Sequence, residues 1–541
     1  MYRKMNAFKS IFFLFMCLIG GQIFAQNAKQ NKRPNIILIL ADDMGFSDIG
    51  NFGSSIQTPV LDQMAAKGLK MTNFYNASRC CPTRASLMTG LFQHQAGVGD
   101  MVNTRPQPAY QGYLNKNCIT IAEALKSGGY ATFMAGKWHI GQAKENWPTR
   151  RGFDHYFGLI DGANSYFENR PYRPNQKLTI ALDEQEYIPA KDYYSTNAYT
   201  DFAIKFIEEK KNPDQPFFLY LAYQAPHWPL HALPQDIAKY KGTFMKGWDV
   251  LRQERFEKQK QLGIISKDEK LSPRDANVPD WNSLTEKEKE NWDEKMAVYA
   301  AMVDRMDQNI GKLKAKLKEL GQEDNTVFMF LSDNGASSED IDGPGFSNEI
   351  LEASKMPSSN PKSFTAYEYE GANVSNTPFR SFKHWEYEGG TATPFIAYGP
   401  KWIQPQLSRQ PAHIIDVMST CLDLAKISYP KIYNGKQITP TTGLSLVPIF
   451  QKKNRNGHDA LYFEHEGNRA IRQGDWKLVS EYPENQWHLY HLTNDRAEQN
   501  NLAKKYPDQV KKMTDLYEKW AIYIGVIPFA DLDKKRPQDK F

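Results

Sequence analysis

Residues 34–45 read PNIILILADDMG, a short apolar run that ends at two adjacent aspartates. Runs of similar length recur along the chain: YATFMA (130–135), PFFLYLAY (216–223) and TVFMFL (326–331). Such runs are typical of strands buried on both faces of a parallel sheet. Amphipathic helical patterns lie between them, for example at 121–129 and 296–321. The alternation predicts a doubly wound α/β fold with a large, mostly parallel sheet.

Polar side chains follow each of the four apolar runs. In chain order they are Asp42 and Asp43, Lys137 and His139, His227, and Asp333 and Asn334. Ligands of open α/β sheets bind outside the carboxyl ends of the strands. We therefore expect these groups to meet at one edge of the sheet. Surface loops that are merely polar are the alternative, and they would have to occur four times together.

The composition and the hydrophobic pattern of the chain change at two places. Residues 231–295 are rich in Lys, Glu and Asp with scattered Trp, which predicts a charged, partly helical insertion and a solvated face. From about Asp459 the pattern alternates like half-buried antiparallel strands, and an amphipathic helix follows. We therefore predict a catalytic domain over 32–455. A smaller C-terminal α+β subdomain with an antiparallel sheet is predicted over 456–541.

The first 25 residues have the composition of a cleaved export signal. Three basic residues precede an apolar stretch at 11–19, and Ala25 offers a small residue before the cleavage point. The apolar stretch is too short to span a bilayer comfortably. An uncleaved anchor and lipid attachment at Cys17 are the alternatives. We expect export, to the periplasm or beyond it, with no membrane contact after cleavage.

Charge and cysteine content narrow the functional classes. The formal charge of +5 falls to +2 without residues 1–25, because that segment has three basic residues and no acidic one. A nearly neutral chain argues against nucleic acid as the main partner, since that partner requires a concentrated basic face. Four cysteines would remain of the five, which is too few for a disulfide scaffold. The sequence leaves open whether Cys118 and Cys421 pair.

The stretch SRCCPTRASLMTG (78–90) places two adjacent thiols before a proline and an arginine. No second cysteine pair lies within a few residues, so the pattern does not indicate a zinc knuckle. A buried thiol, a vicinal disulfide and a nucleophilic thiolate at a helix start are the structural and chemical alternatives.

The segment Cys80-Cys81-Pro82-Thr83-Arg84, followed by Thr89-Gly90, resembles the signature of the type I sulfatases. In that family C-x-P-x-R marks a cysteine for oxidation to formylglycine (3-oxoalanine). The motifs PNIILILADDMG, GKWHIG, APHWP, LSDNG and KHWEYEGG resemble further family motifs and occur in family order. The amino-acid sequences of these motifs are similar to those of exported bacterial arylsulfatases and carbohydrate sulfatases. The resemblance implies an alkaline-phosphatase-like α/β sandwich and the hydrolysis of sulfate monoesters.

The register of the motif distinguishes the two cysteines. Cys80 has proline at +2 and arginine at +4, whereas Cys81 has them at +1 and +3. The resemblance therefore implies that Cys80 is the formylglycine precursor and that a formylglycine-generating enzyme acts on the chain during maturation. One hydroxyl of the aldehyde hydrate attacks sulfur, and the other can lose a proton and expel sulfate as the aldehyde re-forms.

The resemblance also implies the residues of the site. Those expected at one Ca²⁺ ion, which prefers hard oxygen ligands, are Asp42, Asp43, Cys80, Asp333 and Asn334. Those expected in catalysis are Cys80, Arg84, Lys137, His139, His227 and Lys383. Arg84 and Lys137 would stabilise the hydrate, and His139 would take its proton during release. His227 and Lys383 would hold the sulfate, with His227 the better candidate to protonate the leaving oxygen.

Weaker candidates lie near these positions, and an ordinary structural role is the expectation for each: His94, Asn164, His384, Glu388, Glu464 and His465. Two other functions also stay open. A phosphomonoester or phosphonate ester hydrolase on the same scaffold would typically use Ser or Thr and two transition metals with several His ligands. The HxxxH-type ligand sets expected there are missing from this sequence. A non-catalytic glycan-binding protein would not need the complete set of matched positions. The expected substrate is a sulfated saccharide.

Overall fold

The structure, a computed structural model, describes residues 33–533. The expected signal segment at 1–25 lies outside the described residues. One sheet contains eleven strands. They are β1 Asn35–Ala41, β2 Leu69–Tyr75, β3 Ala131–Gly136, β4 His155–Leu159, β5 Ile180–Leu182, β6 Gln185–Glu186, β7 Phe217–Ala222, β8 Thr326–Ser332, β9 Ala392–Tyr398, β10 Gln406–Ser408 and β11 Ala412–His413. Within residues 33–533 we find no helix with the length and hydrophobicity needed to cross a bilayer.

The four predicted strands form the centre of this sheet. Its order is β10-β2-β9-β8-β1-β7-β3-β4-β5-β6, with β11 beside β2. Strands β8, β1, β7, β3 and β4 run parallel, whereas β9 is antiparallel to both β8 and β2. Side chains of β1 alternate between two buried layers, so both faces of the sheet are covered by helices. The predicted α/β architecture is confirmed.

Helices flank the sheet and connect its strands. They are α1 Pro59–Lys67, α2 Cys80–Thr89, α3 Gln93–Ala96, α4 Ile121–Ser127, α5 Ser195–Glu208, α6 Pro234–Ile237, α7 Trp248–Gln261, α8 Glu286–Glu319, α9 Asn348–Ala353, α10 Glu368–Ser375, α11 Glu388–Thr391, α12 Asp416–Ala425 and α13 Val447–Phe450. Both helices predicted from periodicity, α4 and α8, are present. Each begins with a capping box, in which a threonine and the glutamate three residues later satisfy the first free N–H groups.

The segment 231–295 differs from the expectation of a solvated insertion. It is partly helical and contains α7, but Trp248, Trp281 and Trp292 are buried and pack edge to face, with ring centroids 4.9–5.6 Å apart. Arg255 of α7 is also buried and pairs with Asp48 at 2.7 Å. The charged residues cover the outside of this segment, and its aromatic residues belong to the main hydrophobic core.

The C-terminal part forms the predicted antiparallel sheet. A short hairpin, β12 Ile432–Tyr433 and β13 Lys436–Gln437, precedes four strands in sequential order. These strands are β14 Leu461–His465, β15 Asn468–Gln473, β16 Trp476–Ser480 and β17 Trp487–His491. Helix α14, Pro507–Ile524, packs on this sheet, where Trp520 stacks on Tyr462 with centroids 4.9 Å apart. Helix α15, Phe529–Asp533, ends the described chain.

A buried ion cluster connects this sheet to the large domain. Lys477 of β16 places Nζ 3.0 Å from Glu388 Oε1 and 3.1 Å from Glu498 Oε1. Arg496 Nε lies 2.9 Å from Glu388 Oε2, and the Tyr75 hydroxyl donates to the same oxygen at 3.0 Å. Glu388, one of the weaker sequence candidates, thus holds two parts of the fold together.

Candidate active site

The ends of the four central strands meet at one edge of the sheet, as the sequence predicts. The Asp42 N–H donates to Ala225 O at 3.1 Å, and the Asp333 N–H donates to Ala41 O at 3.1 Å. The turn after β1 places Asp43 in the left-handed region, with φ of 62°, and its N–H donates to Asp333 Oδ1 at 3.2 Å. Left-handed backbone at a residue other than glycine costs free energy and is concentrated at functional sites.

Helix α2 presents Cys80 to this edge from its first position. The Cys80 Sγ lies 3.9 Å from Asp43 Oδ1 and is buried. Cys81 points elsewhere, with Sγ 4.0 Å from Asp100 O and 3.5 Å from Met101 Sδ. Both thiols are free, so the vicinal disulfide is not formed. Burial raises the pKa of the Cys80 thiol to about 12, which disfavours the thiolate alternative.

The other two cysteines that the sequence left open are also free. Cys118 and Cys421 are both buried, and neither forms a disulfide. The Cys118 Sγ lies 3.3 Å from Asn115 O. Both thiols therefore contribute to the second hydrophobic layer of the sheet.

Two carboxylates and an imidazole converge around Cys80. The ligand atoms of Asp42, Asp43, Cys80 and His227 all lie within 4.8 Å of one another. Asn334 Nδ2 donates to Asp43 Oδ1 at 2.7 Å. Asp42 Oδ1 and Asn334 Oδ1 are buried and have no hydrogen-bond partner among the described residues. Unsatisfied buried oxygens of this kind fit a hard cation such as Ca²⁺.

Three cationic side chains balance the carboxylates. Lys137 Nζ lies 2.6 Å from Asp42 Oδ2, and Lys383 Nζ lies 2.9 Å from Asp43 Oδ2. Arg84 donates through Nε and Nη2 to Asp333 Oδ2, at 3.0 and 2.9 Å, and through Nη1 to Lys137 O at 2.8 Å. Burial and the charge of Asp42 raise the pKa of Asp333 to about 7, despite this guanidinium.

Burial favours the neutral form of both predicted histidines, and a hydrogen bond orients His227. His227 Nδ1 lies 2.6 Å from Trp228 O, so it carries the proton, because a carbonyl oxygen only accepts. Its Nε2 faces Asp43 Oδ2 at 3.5 Å. His139 has φ of 56°, and its buried Nδ1 has no hydrogen-bond partner among the described residues. Burial lowers the pKa of His227 to about 3 and that of His139 well below its usual range.

Glu339 is a site residue that the sequence analysis missed. Its Oε2 accepts from Lys383 Nζ at 2.9 Å and from Trp228 Nε1 at 2.8 Å, and its Oε1 lies 2.8 Å from Arg79 Nη1. Glu339 follows Asp333 by six residues in the loop after β8. Its position after a predicted strand is the only local signal, because its partners come from three other segments.

A cavity of about 500 Å³ opens beside this cluster. Its floor includes Cys80, His139, His227, Lys383 and Glu339. Its rim comes from separate loops, which contribute Met101, Val102, Asn103, Tyr172, Arg173, Gln176 and Glu466. Gln142 and Asp161 also line a second cavity of about 670 Å³. The volume of the first cavity is that of a site for a small molecule.

The weaker candidates mainly hold structure together. His94 Nε2 forms a buried contact of 2.8 Å with Glu464 Oε2, and Asn164 bonds to nearby loop groups such as Asn169 at 3.1 Å. His384 Nδ1 lies 3.3 Å from Glu466 Oε2 at the cavity rim. His465 is buried, and neither of its ring nitrogens has a hydrogen-bond partner among the described residues.

Comparison with known proteins identifies the family. A family model described as Sulfatase matches residues 34–427, which is most of the chain. This chain belongs to the type I sulfatase family. A second model, described as N-sulphoglucosamine sulphohydrolase, C-terminal, matches residues 379–520 of the sulfatase. The protein is therefore a sulfuric ester hydrolase.

Individual relatives support the same assignment. The sulfatase is 36% identical over 536 residues to an uncharacterized sulfatase of Schizosaccharomyces pombe, covering 93% of this chain and 96% of the relative. It is 34% identical to an arylsulfatase of Klebsiella aerogenes, covering 82% and 96%. Among solved structures it resembles Ps i-CgsB in complex with k-i-k-neocarrahexaose, with a TM-score of 0.66, 27% identity and coverage of 91% and 93%.

Proposed function

We propose that this sulfatase hydrolyses sulfate monoesters of saccharides with a formylglycine at position 80 and one Ca²⁺ ion. The observation that carries the proposal is the position of Cys80. Its Sγ lies at the start of α2, 3.9 Å from Asp43, at the floor of a cavity lined by His139, His227 and Lys383. A nucleophile generated at this atom would face the cavity and the metal-ligating carboxylates at once.

Asp42, Asp43, Asp333 and Asn334, together with the modified Cys80, would hold the cation. The unsatisfied oxygens of Asp42 and Asn334 support this assignment. When bound, Ca²⁺ supplies positive charge that polarises the sulfate and favours an alkoxide. Arg84 keeps Asp333 in place through its two hydrogen bonds. The same guanidinium neutralises a carboxylate that would otherwise repel the substrate.

The cavity side chains then bind the ester and move protons. Lys383, which pairs with Asp43 and lines the cavity, can donate to sulfate oxygens, and Lys137, paired with Asp42, would add a second positive charge. His227 is oriented by its Nδ1–H, which leaves Nε2 unprotonated in the free site. Nε2 would take up a proton when the anionic ester binds, and the imidazolium would then give that proton to the leaving oxygen. His139, whose Nδ1 has no hydrogen-bond partner among the described residues, would accept the proton that is released when sulfate leaves.

A sulfated mono- or short oligosaccharide is the proposed substrate. One curated relative, at 28% identity, is an N-acetylgalactosamine-6-sulfatase of Mus musculus, and Ps i-CgsB was crystallised with a neocarrahexaose. The cavity of about 500 Å³ matches one or two sugar units at a chain end. Export of the protein, proposed from its first 25 residues, agrees with a substrate found outside the cytoplasm.

The test uses protein whose Cys80 peptide has been shown by mass spectrometry to carry formylglycine. Free sulfate is measured from sulfated mono- and oligosaccharides, an intact sulfated polysaccharide and an aryl sulfate. Turnover should be fastest on the short saccharides. Faster turnover of an aryl phosphate than of every sulfate ester would overturn the proposal. Equal rates on intact polymer and short oligosaccharides would remove only the chain-end preference.

A further inference from the structure

We infer that the Glu339 carboxylate makes the site select singly charged esters over doubly charged ones. The inference deepens the proposed function and rests on it. A sulfate monoester carries one negative charge, whereas a phosphate monoester carries nearly two at neutral pH. Glu339 is therefore assigned as a specificity-determining residue that lowers the phosphatase activity of the sulfatase.

The geometry places this carboxylate where an anionic substrate must bind. Lys383 Nζ is shared between Asp43 Oδ2 and Glu339 Oε2, at 2.9 Å from each. An ester that binds Lys383 therefore approaches Glu339 as well. The Glu339 side chain is 31% exposed and lines the same cavity as Cys80 and His227.

Glu339 is held in this position as an anion. Its Oε2 accepts from Lys383, Trp228 and Ser337, and its Oε1 forms an ion pair with Arg79. Burial alone would raise its pKa, but the charges of Lys383 and Arg79 outweigh burial and keep the pKa well below its usual range. The three hydrogen bonds on Oε2 and the ion pair on Oε1 hold the carboxylate against the cavity, where an entering substrate meets it.

The electrostatic repulsion between Glu339 and the substrate grows in proportion to the negative charge of the substrate. Because the cationic and anionic side chains of the site balance, the proposed Ca²⁺ would supply the net positive charge that attracts both esters. The Glu339 carboxylate reduces that attraction about twice as much for a dianion as for a monoanion. At about 6 Å and an effective dielectric constant of about 40, one extra unit charge corresponds to about a tenfold effect. Removing the Glu339 charge should therefore raise the ratio of phosphate to sulfate hydrolysis about tenfold.

The experiment compares kcat/KM of wild type and Glu339→Gln at pH 8 on three substrates with the same aryl group. They are an aryl sulfate with one charge, an aryl phosphate with two and a methyl aryl phosphodiester with one. The aryl phosphate to aryl sulfate ratio should rise about tenfold, or about 1.4 kcal/mol. The phosphodiester to aryl sulfate ratio should change less than about twofold, because both substrates are monoanions.

Two variants separate charge from position. Glu339→Asp keeps the charge, so it should retain the wild-type ratio even where its kcat falls. Glu466→Gln removes a negative charge from the rim of the same cavity, where Glu466 pairs with His384, and should change the ratio less than about threefold. If Glu339→Gln does not fold, Glu339→Ser, which removes the same charge, is used in its place.

The outcomes are distinct. An unchanged phosphate to sulfate ratio in Glu339→Gln, or an equal rise for the phosphodiester, would overturn the inference. If phosphate turnover is too slow to measure, the readout is competitive inhibition of aryl sulfate hydrolysis by inorganic phosphate. The ratio of the inhibition constant to the KM for aryl sulfate should then be about tenfold lower in Glu339→Gln than in wild type. Failure of the proposed function would be recognised separately, as a wild-type protein with confirmed formylglycine that hydrolyses no sulfate ester.

Discussion

Replacing Lys477 by methionine should destabilise the protein through the buried ion cluster. Its Nζ lies 3.0 Å from Glu388 and 3.1 Å from Glu498, and none of the three side chains is exposed. Methionine has a similar volume, so the change removes charge and hydrogen bonds rather than packing. Breaking a buried ion pair typically costs about 3–5 kcal/mol. Because Arg496 still pairs with Glu388, we expect about 3 kcal/mol, at the lower end of that range.

Calorimetry converts this loss into a melting temperature. Unfolding entropy is about 2.1 cal/mol/K per residue, or roughly 1 kcal/mol/K for a cooperative unit of about 500 residues. A single cooperative unit should therefore melt about 3 °C lower in the variant. A subdomain of about 80 residues that unfolds alone would melt more like 20 °C lower. The size of the shift thus also tests whether the proposed subdomain at 456–541 unfolds independently.

The matched control is Lys511→Met, which removes an exposed lysine that pairs with Asp515 on helix α14. Surface pairs of this kind contribute little, so its melting temperature should stay within about 1 °C of wild type. The reasoning is refuted if Lys477→Met also melts within about 1 °C of wild type, because the cluster would then contribute nothing measurable.

Three further predictions concern the nucleophile, the metal and the pH dependence. Cys80→Ala should lose nearly all sulfatase turnover, whereas Cys81→Ser should stay within about tenfold of wild type; an active Cys80→Ala and an inactive Cys81→Ser would contradict the assigned register. Chelation should lower the melting temperature and Ca²⁺ should restore it, with a stabilisation of about 2.7 kcal/mol at a hundredfold excess over Kd; full activity after calcium removal, with stoichiometric zinc in the protein, would contradict this. Burial lowers the pKa of His231 to about 4 and that of His413 to about 3, so the unfolded chain binds protons below pH 6.5 that the folded chain excludes. The contribution of these histidines to the free energy of unfolding should be complete above about pH 6.5. It should fall by about 1.4 kcal/mol per pH unit for each histidine as the pH drops toward 4. Urea midpoints at pH 7 and pH 5 measure this fall, and His413→Gln should reduce the slope.

The central strands were predictable because strands buried on both faces are continuous apolar runs. The same rule did not find β2, which mixes polar and apolar residues, or β9, whose apolar run is interrupted by Thr393 and Pro394. It also did not find the short edge strands β5 and β6. Local composition also misled at 231–295, where many charged residues surround three buried tryptophans. A sequence average cannot show which side of a helix faces the core when the apolar residues are few.

The candidate site shows a similar division. Positions such as Asp42 and Asp333 could be singled out as candidates from the sequence, because each lies within two residues of the end of an apolar run. Glu339 lies in the stretch ASSEDIDG beside other acidic residues, and nothing local distinguishes it from Asp340. Its importance arises from contacts with Arg79, Trp228 and Lys383, which only the fold brings together.

The chain segments that form the cavity walls suggest how related enzymes change their substrate preference. The floor combines the start of α2 and the segments after β3 and β7 with the loop residues Glu339 and Lys383, whereas much of the rim comes from the loop segments 101–103 and 172–176. Loops of this kind tolerate insertion and exchange better than buried strands do. Related enzymes could therefore diverge in sugar preference by exchanging rim segments while the sulfate-cleaving floor stays intact. Transplanting either loop from a relative of different specificity is accordingly the most direct route to a re-engineered enzyme.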